Sequence, residues 1–263
     1  MEKSIGECVT GSYEEKRKIV SRLNLMDDIF FSVILDDREA CEYLLSALLN
    51  KKIRVIRNKT QYSIKNILGH SVILDALVED EEHRLYDVEM QITDDMNIPR
   101  RMRYYQAMLD SSFLEKGADY NDLPETYIIF ITSFDTLKRN KASYEVKRYI
   151  DGEAYDDGMH QLFFNTAVDD GSELSKLLQY LKNSDENNNN FGALSQAVRY
   201  HKVDEKGVEY MSSIVQEIKL EGIIEGKVET VMSMIEDGVS LDKALKYAKI
   251  DKETYEKYAN NIQ

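Results

Sequence analysis

The sequence predicts an α/β chain: a helical start, a group of strands, a helix, a further strand, and an α-helical C-terminal extension. Three observations carry this. Apolar residues recur at three- and four-residue steps through Cys41, Leu44, Leu45, Leu48 and Leu49, then at two-residue steps from about residue 53 to residue 92. Pro99 opens a second stretch of helical spacing, and Thr126 to Ser133 is a solid β-rich run. From Asp204 onward the spacing is helical and acids outnumber bases 13 to 8.

The elements follow in order. Residues 1 to about 26 are mixed. Asp27 to Leu35 is densely apolar and opened by two aspartates, which suit a helix start, and Asp36 and Asp37 can cap the next helix. Ile53, Val55 and Gln61 to Ile64 belong to a strand or strand pair. Ser71 to Glu79 reads as a strand, Asp80 to Arg84 as a polar turn, and Leu85 to Ile92 as a returning strand. The helix from Pro99 runs to about Lys116, with Gly117 as its stop. Thr126 to Ser133 suits a central strand covered on both faces. Ser143 to Ile150 and Gln161 to Ala167 look like added strands. Helices are expected at Ser172 to Lys182 and Phe191 to Tyr200, separated by a polar loop from Asn183 to Asn190. A long helix from Asp204 to about Glu236 is expected to be interrupted by Gly222 and Gly226 and ended by Gly238. Ser240 and Asp251 then cap two short helices.

Composition narrows the function classes. The chain has 263 residues, 43% of them hydrophobic and 31% charged, which excludes a collagen-like, mucin-like or wholly disordered chain. Cys8 and Cys41 cannot build a disulfide framework or a four-thiolate zinc site. The apolar runs are too short for a membrane span, and the N-terminus has no signal-peptide pattern, so a cytoplasmic location is expected. The four histidines have no metal or triad spacing, and no glycine-rich phosphate loop is present. The net charge of −14 looks hostile to nucleic acid, but the charges are segregated. Residues 50–74 hold six bases and no acid, and Arg100, Arg101 and Arg103 cluster at the start of a helix.

The hairpin from Ser71 to Ile92 is the informative part. Val72, Leu74, Ala76 and Val78 form one purely apolar row, and Tyr86, Val88, Met90 and Ile92 form another, so both are expected to cover one core. With a three-residue turn at Glu81, Glu82 and His83, Asp75 lies directly opposite Glu89, and Leu77 opposite Asp87. Facing residues have Cβ atoms about 4.5–5.5 Å apart, and like charges there are disfavoured unless something offsets them. A shared proton, a basic side chain or a divalent cation would do so. The alternative is a solvent face whose acids are placed by chance. Arginines at a helix start oppose the helix dipole, whereas an anion there would be held by both N–H and guanidinium groups. A carboxylate pair beside such a helix suits metal-assisted phosphodiester hydrolysis.

Leu74-Asp75 followed by Asp87-Val88-Glu89-Met90-Gln91 resembles the D…(D/E)-x-(K/Q) pattern of the PD-(D/E)XK nuclease superfamily. More closely, the chain resembles the recombination-promoting nuclease/transposase (Rpn) family, in six stretches: Leu25 to Phe31, Lys59 to Lys65, Ser71 to Asp75, Tyr86 to Gln91, Arg101 to Tyr104 and Leu123 to Thr132. The resemblance implies a restriction-endonuclease-like αβββαβ core with a mixed sheet. It implies a division into an N-terminal segment 1–25, a nuclease-like domain 26–202 and a helical extension 203–263. It implies a Mg²⁺-dependent (or other divalent-cation-dependent) DNA endonuclease linked to recombination or mobile elements. Asp75 and Glu89 would bind the metal, and Gln91 would stand where many superfamily members have Lys. Because a neutral amide cannot serve as a cation, the metal-bound water, Arg103 or Lys65 would have to supply that charge. Asp28 is either a further metal-assisting acid or a helix cap. Arg100, Arg101, Arg103 and Lys65 are candidates for DNA phosphate binding. The partners expected are DNA and, optionally, further copies of the chain, with no membrane. The other function class is a catalytically silent binding or scaffold protein with the same fold, acting through its acidic helical tail.

Overall fold

A computed structural model describes residues 11–66 and 69–259; the first ten residues, Cys8 among them, lie outside the described residues. In chain order the elements begin with α1 (Tyr13–Val20), α2 (Asp28–Asp36), α3 (Arg38–Leu49), β1 (Val55–Ile64), β2 (Val72–Asp80), β3 (Leu85–Gln91), α4 (Ile98–Phe113) and β4 (Thr126–Thr132). They continue with β5 (Ser143–Glu145), β6 (Tyr149–Ile150), β7 (Glu153–Ala154), β8 (Met159–Asn165), α5 (Glu173–Asn183), α6 (Gly192–Val203), α7 (Glu205–Glu236), α8 (Leu241–Ala248) and α9 (Lys252–Ala259). The main sheet has six strands in the order β1-β2-β3-β4-β8-β5. β1, β2 and β3 form an antiparallel meander; β3, β4 and β8 run parallel; β5 closes the far edge antiparallel to β8. This is the expected mixed α/β architecture, with the αβββαβ order running from α2 and α3 to β4.

β4 is central and covered on both sides, as its unbroken apolar run predicts. Ile129 and Ile131 join a core with Phe30 and Phe31 of α2, Leu44 and Leu45 of α3, and Leu178 of α5. Ile128 and Phe130 join a second core with Ile98, Met102 and Leu109 of α4. Each capping position has its own chemistry. Asp37 caps α3 by accepting the Glu39 and Ala40 N–H groups at 2.9 and 3.1 Å. Asp27 precedes α2, but its carboxylate accepts the Asn24 N–H at 2.8 Å instead of a helix N–H.

Several expectations need correction. α4 ends at Phe113, where Leu114 turns extended, and Gly117 (φ +90°) serves the following turn. Ser143 to Ile150 is not one strand: β5 joins the main sheet, while β6 pairs with β7 in a separate two-stranded sheet. Gly222 and Gly226 do not interrupt α7, which runs unbroken for 32 residues. A helical glycine costs only about 1 kcal/mol, and the packing of both ends of α7 outweighs that: Met211 lies in the main core, and Val231 in a C-terminal cluster with Ala244 and Leu245. Ser240 stands before α8 without a side-chain cap bond. The glycine that matters to α7 is Gly207, where a Cβ would come within 2.2 Å of the Tyr200 carbonyl oxygen, so its absence lets α7 close on the end of α6. Among the described residues, no helix is long and apolar enough to cross a membrane.

Candidate active site

The site is built where the β2–β3 hairpin opens. At the turn end, the strands are closed by three residues, with His83 in the left-handed region (φ +59°) and the Asp80 N–H donating to the Arg84 carbonyl. From there Glu79 pairs with Leu85, Leu77 with Asp87 and Ala76 with Val88. At the next step, Asp75 against Glu89, side chains replace the backbone ladder. The Asp75 N–H donates to Glu89 Oε1 at 2.9 Å, and the Met90 N–H donates to Asp75 Oδ2 at 2.9 Å. Each carboxylate is therefore pinned by the opposing strand's backbone.

The face of β2 also switches here, contrary to the expected single apolar row. Ala76 and Val78 pack with α2 and α3, whereas Val72 and Leu74 pack with α4. The neighbouring strand yields at the same level: Thr60 pairs with Ala76 and Tyr62 with Leu74, and between them Gln61 takes φ +49°. A non-glycine residue at positive φ is a local departure from strand geometry. The pair of acids thus sits at a twist in both β1 and β2.

Burial makes this cluster electrostatically costly. Glu89 is 2% exposed and Asp87 is fully buried, with neither Asp87 carboxylate oxygen hydrogen-bonded. Loss of water raises the Asp75 carboxyl, with the nearby Asp28 charge adding to the rise, while the Met90 N–H and Arg101 oppose it. Loss of water followed by the charge of Asp75 raises Glu89, and loss of water followed by the charge of Glu89 raises Asp87 well above the usual carboxylate range. Three acids in one place, under-supplied with donors, favour the arrival of a cation. Among the described residues, no group of three or more His, Cys, Asp or Glu side chains is arranged to hold a metal ion. Two carboxylates with waters and phosphate oxygens completing the shell is the coordination Mg²⁺ favours, so Asp75 and Glu89 fit that ion.

The predicted basic residues separate. Arg101 turns inward: its Nη1 donates to Gln91 Oε1 at 2.5 Å, and its Nη2 lies 3.2 Å from the Tyr105 hydroxyl and 3.5 Å from Glu89 Oε2. Arg100 and Arg103 are exposed on α4, and Lys65 is exposed just beyond β1. Gln91 closes its other side by donating to the Thr93 carbonyl at 2.7 Å. Asp28 is exposed at the first turn of α2. Asp87 was not among the sequence-derived site residues, although it shares a strand face with Glu89 and Gln91; that shared parity was the available signal. The contact of Arg101 with Gln91 had no such signal, because it depends on how α4 crosses β3. A cavity of about 850 Å³ lies elsewhere, lined by Tyr43, Tyr180 and Phe191 among others. Its walls do not include the acid pair.

The model of the PD-(D/E)XK nuclease family transposases matches residues 30–198. The chain belongs to this family. The matched span contains Asp75, Asp87, Glu89, Gln91, Arg101 and both flanking arginines, and it begins two residues after Asp28. No curated protein and no solved structure matches the chain. Within the matched span, Asp75 faces Glu89 at a point where β1 and β2 both leave regular strand geometry.

Proposed function

We propose that the chain is a divalent-cation-dependent DNA endonuclease that hydrolyses phosphodiester bonds, with Asp75 and Glu89 as the cation-holding pair. The observation that carries this reading is the facing pair itself, each carboxylate fixed by the other strand's N–H and both raised by burial. When bound there, Mg²⁺ supplies Lewis-acid neutralisation of phosphate charge and acidification of a water. The chain's own residues do the rest. Asp75 and Glu89 would hold the ion, their carboxylates kept in place by the Met90 and Asp75 N–H groups. Arg100, Arg103 and Lys65, exposed around the hairpin, hold the DNA backbone through its phosphates.

The test compares wild type, Asp75→Asn and Glu89→Gln on supercoiled plasmid with Mg²⁺ or with chelator, alongside calorimetric titration of Mg²⁺. Loss of a residue that merely orients a ligand already costs about 10–100-fold, so loss of either acid should slow nicking by more than about 100-fold. Equal nicking by wild type and Asp75→Asn overturns the reading. If wild type neither nicks nor binds Mg²⁺, the binding-protein reading replaces it. The exposed Ile218, Leu220 and Ile223 of α7 would then be the first surface to examine.

A further inference from the structure

The geometry points to Arg101 as the cation that works beside the metal, held in place by Gln91; this rests on the nuclease reading. Hydrolysis of a phosphodiester bonds a water oxygen to phosphorus and breaks a P–O ester bond. The attacking water gives up one proton to solvent, the bonding pair leaves on the departing oxygen, and that oxygen takes a proton from solvent. Negative charge grows on the phosphoryl oxygens meanwhile, and a fixed cation within reach lowers that barrier. Gln91, next along the strand face from Glu89, is neutral and cannot be that cation. It does hold one. Its Oε1 accepts from Arg101 Nη1 at 2.5 Å, and its amide nitrogen is anchored on the Thr93 carbonyl at 2.7 Å.

Three further contacts fix the guanidinium. It lies over the Phe130 ring at 5.3 Å and the Tyr105 ring at 5.4 Å, and its Nη2 reaches the Tyr105 hydroxyl at 3.2 Å. The same Nη2 stands 3.5 Å from Glu89 Oε2, beside the pair that would hold the metal. A guanidinium has five N–H donors, and these contacts leave donors for a phosphate oxygen. Arg103 and Lys65, the sequence-based choices for this charge, are both exposed. Arg101 is therefore the catalytic residue, which stays protonated throughout, and Gln91 is its positioning residue.

The experiment uses the full chain and four variants: Arg101→Met, Arg101→Lys, Gln91→Leu and the double variant Gln91→Lys with Arg101→Met. Arg101→Met should slow plasmid nicking at saturating Mg²⁺ by at least a hundredfold. In calorimetry it should bind Mn²⁺ severalfold more tightly, because Glu89 loses a competing cation. Arg101→Lys should keep part of the rate. Gln91→Leu should lower kcat about tenfold with KM for DNA unchanged. The double variant, with an ammonium at position 91, should recover at least a tenth of wild-type activity. Nicking by Arg101→Met at the wild-type rate overturns the inference and leaves the nuclease reading standing. So does a loss of nicking accompanied by weaker Mn²⁺ binding and a lowered melting temperature, which marks a purely structural arginine, and so does a dead double variant. No Mg²⁺-dependent nicking by wild type overturns the nuclease reading and this inference with it.

Discussion

The two ends of one hairpin bury carboxylates in opposite ways. At the turn end, Asp80 is fully buried, and its oxygens accept from the Glu82 and Arg84 N–H groups, from Arg84 Nε at 2.7 Å and from the Tyr86 hydroxyl at 2.7 Å. Arg84 Nη2 completes the ion pair at 2.6 Å. Those donors hold the Asp80 carboxyl below its ordinary value despite burial. At the open end, Asp75, Asp87 and Glu89 are raised, Asp87 has no hydrogen-bond donor, and one guanidinium serves the group. A buried acid satisfied by its own chain is structural. Acids left short of positive charge are set for something the chain does not itself contain.

The largest effect should come from breaking the satisfied end. Asp80→Ala leaves Arg84 without its main partner, and removal of one member of a buried pair costs about 3–5 kcal/mol. At about 2–4 °C per kcal/mol for a domain of this size, the melting temperature should drop by on the order of 10 °C in a thermal unfolding scan. Asp75→Asn should do the reverse. It keeps an acceptor for the Met90 N–H and removes one repelling charge, which at this spacing is worth roughly 1 kcal/mol in water and 3–4 at an effective dielectric of 20. The metal-free protein should gain about 1–2 kcal/mol, and the stabilisation by Mg²⁺ seen for wild type should vanish. A destabilised Asp75→Asn would end the contrast between the two ends.

The ends should also separate by pH. Asp75 is raised from 3.8 to about 6 and Glu89 from 4.5 to about 8. Between those limits the folded chain binds more protons than the unfolded chain, so metal-free stability falls as pH rises from about 4 to about 8. Asp80 is lowered, so its contribution is present above 3.8 and is lost as pH falls below it. Melting temperatures of the metal-free protein from pH 3 to pH 9 should therefore decline on both sides of about pH 4. Asp75→Asn should flatten the alkaline side alone, and Asp80→Asn the acid side alone. Saturating Mg²⁺ should flatten the alkaline side of wild type, because the ion takes the place of the protons. A wild-type profile that Mg²⁺ leaves unchanged would place the ion elsewhere.

What was legible in the sequence depended on local rules. The strand parity of Asp87, Glu89 and Gln91 and the three-residue turn set the hairpin register, and the solid apolar run of β4 marked the centre of the sheet. The twist at Asp75 was not legible, because it needs Gln61 of β1 at positive φ and no residue type there announces it. Nor was Lys202, which sequence would leave in water. It is 2% exposed, donates to the Ser184 carbonyl at 2.8 Å and lies over the Phe30 ring at 5.4 Å. Ser184, in left-handed geometry at the end of α5, also accepts the Leu25 N–H at 2.8 Å, so three segments distant in sequence meet at one residue. The inward turn of Arg101 belongs to the same class: it follows from how α4 packs over β3 and β4, not from the run of arginines.

Tyr86 offers the smallest test and the most selective one. Its hydroxyl is one of several donors to Asp80, and its ring stacks on Tyr127 with centroids 4.7 Å apart. Tyr86→Phe keeps the ring and the stack and removes one hydrogen bond from a carboxylate that retains Arg84 and two backbone N–H groups. Hydrogen bonds to charged groups are worth about 1.5–3 kcal/mol when they are the main partner. With the remaining donors in place the cost should be nearer 1 kcal/mol, or about 2–4 °C in melting temperature. Tyr86 is one residue from Asp87 in β3 but points to the opposite face of the sheet. If the two ends are independent, the Mg²⁺ response and the nicking rate of Tyr86→Phe should equal those of wild type. A change in either would mean that the closed end helps to hold the open one in register, and that the hairpin works as a single device.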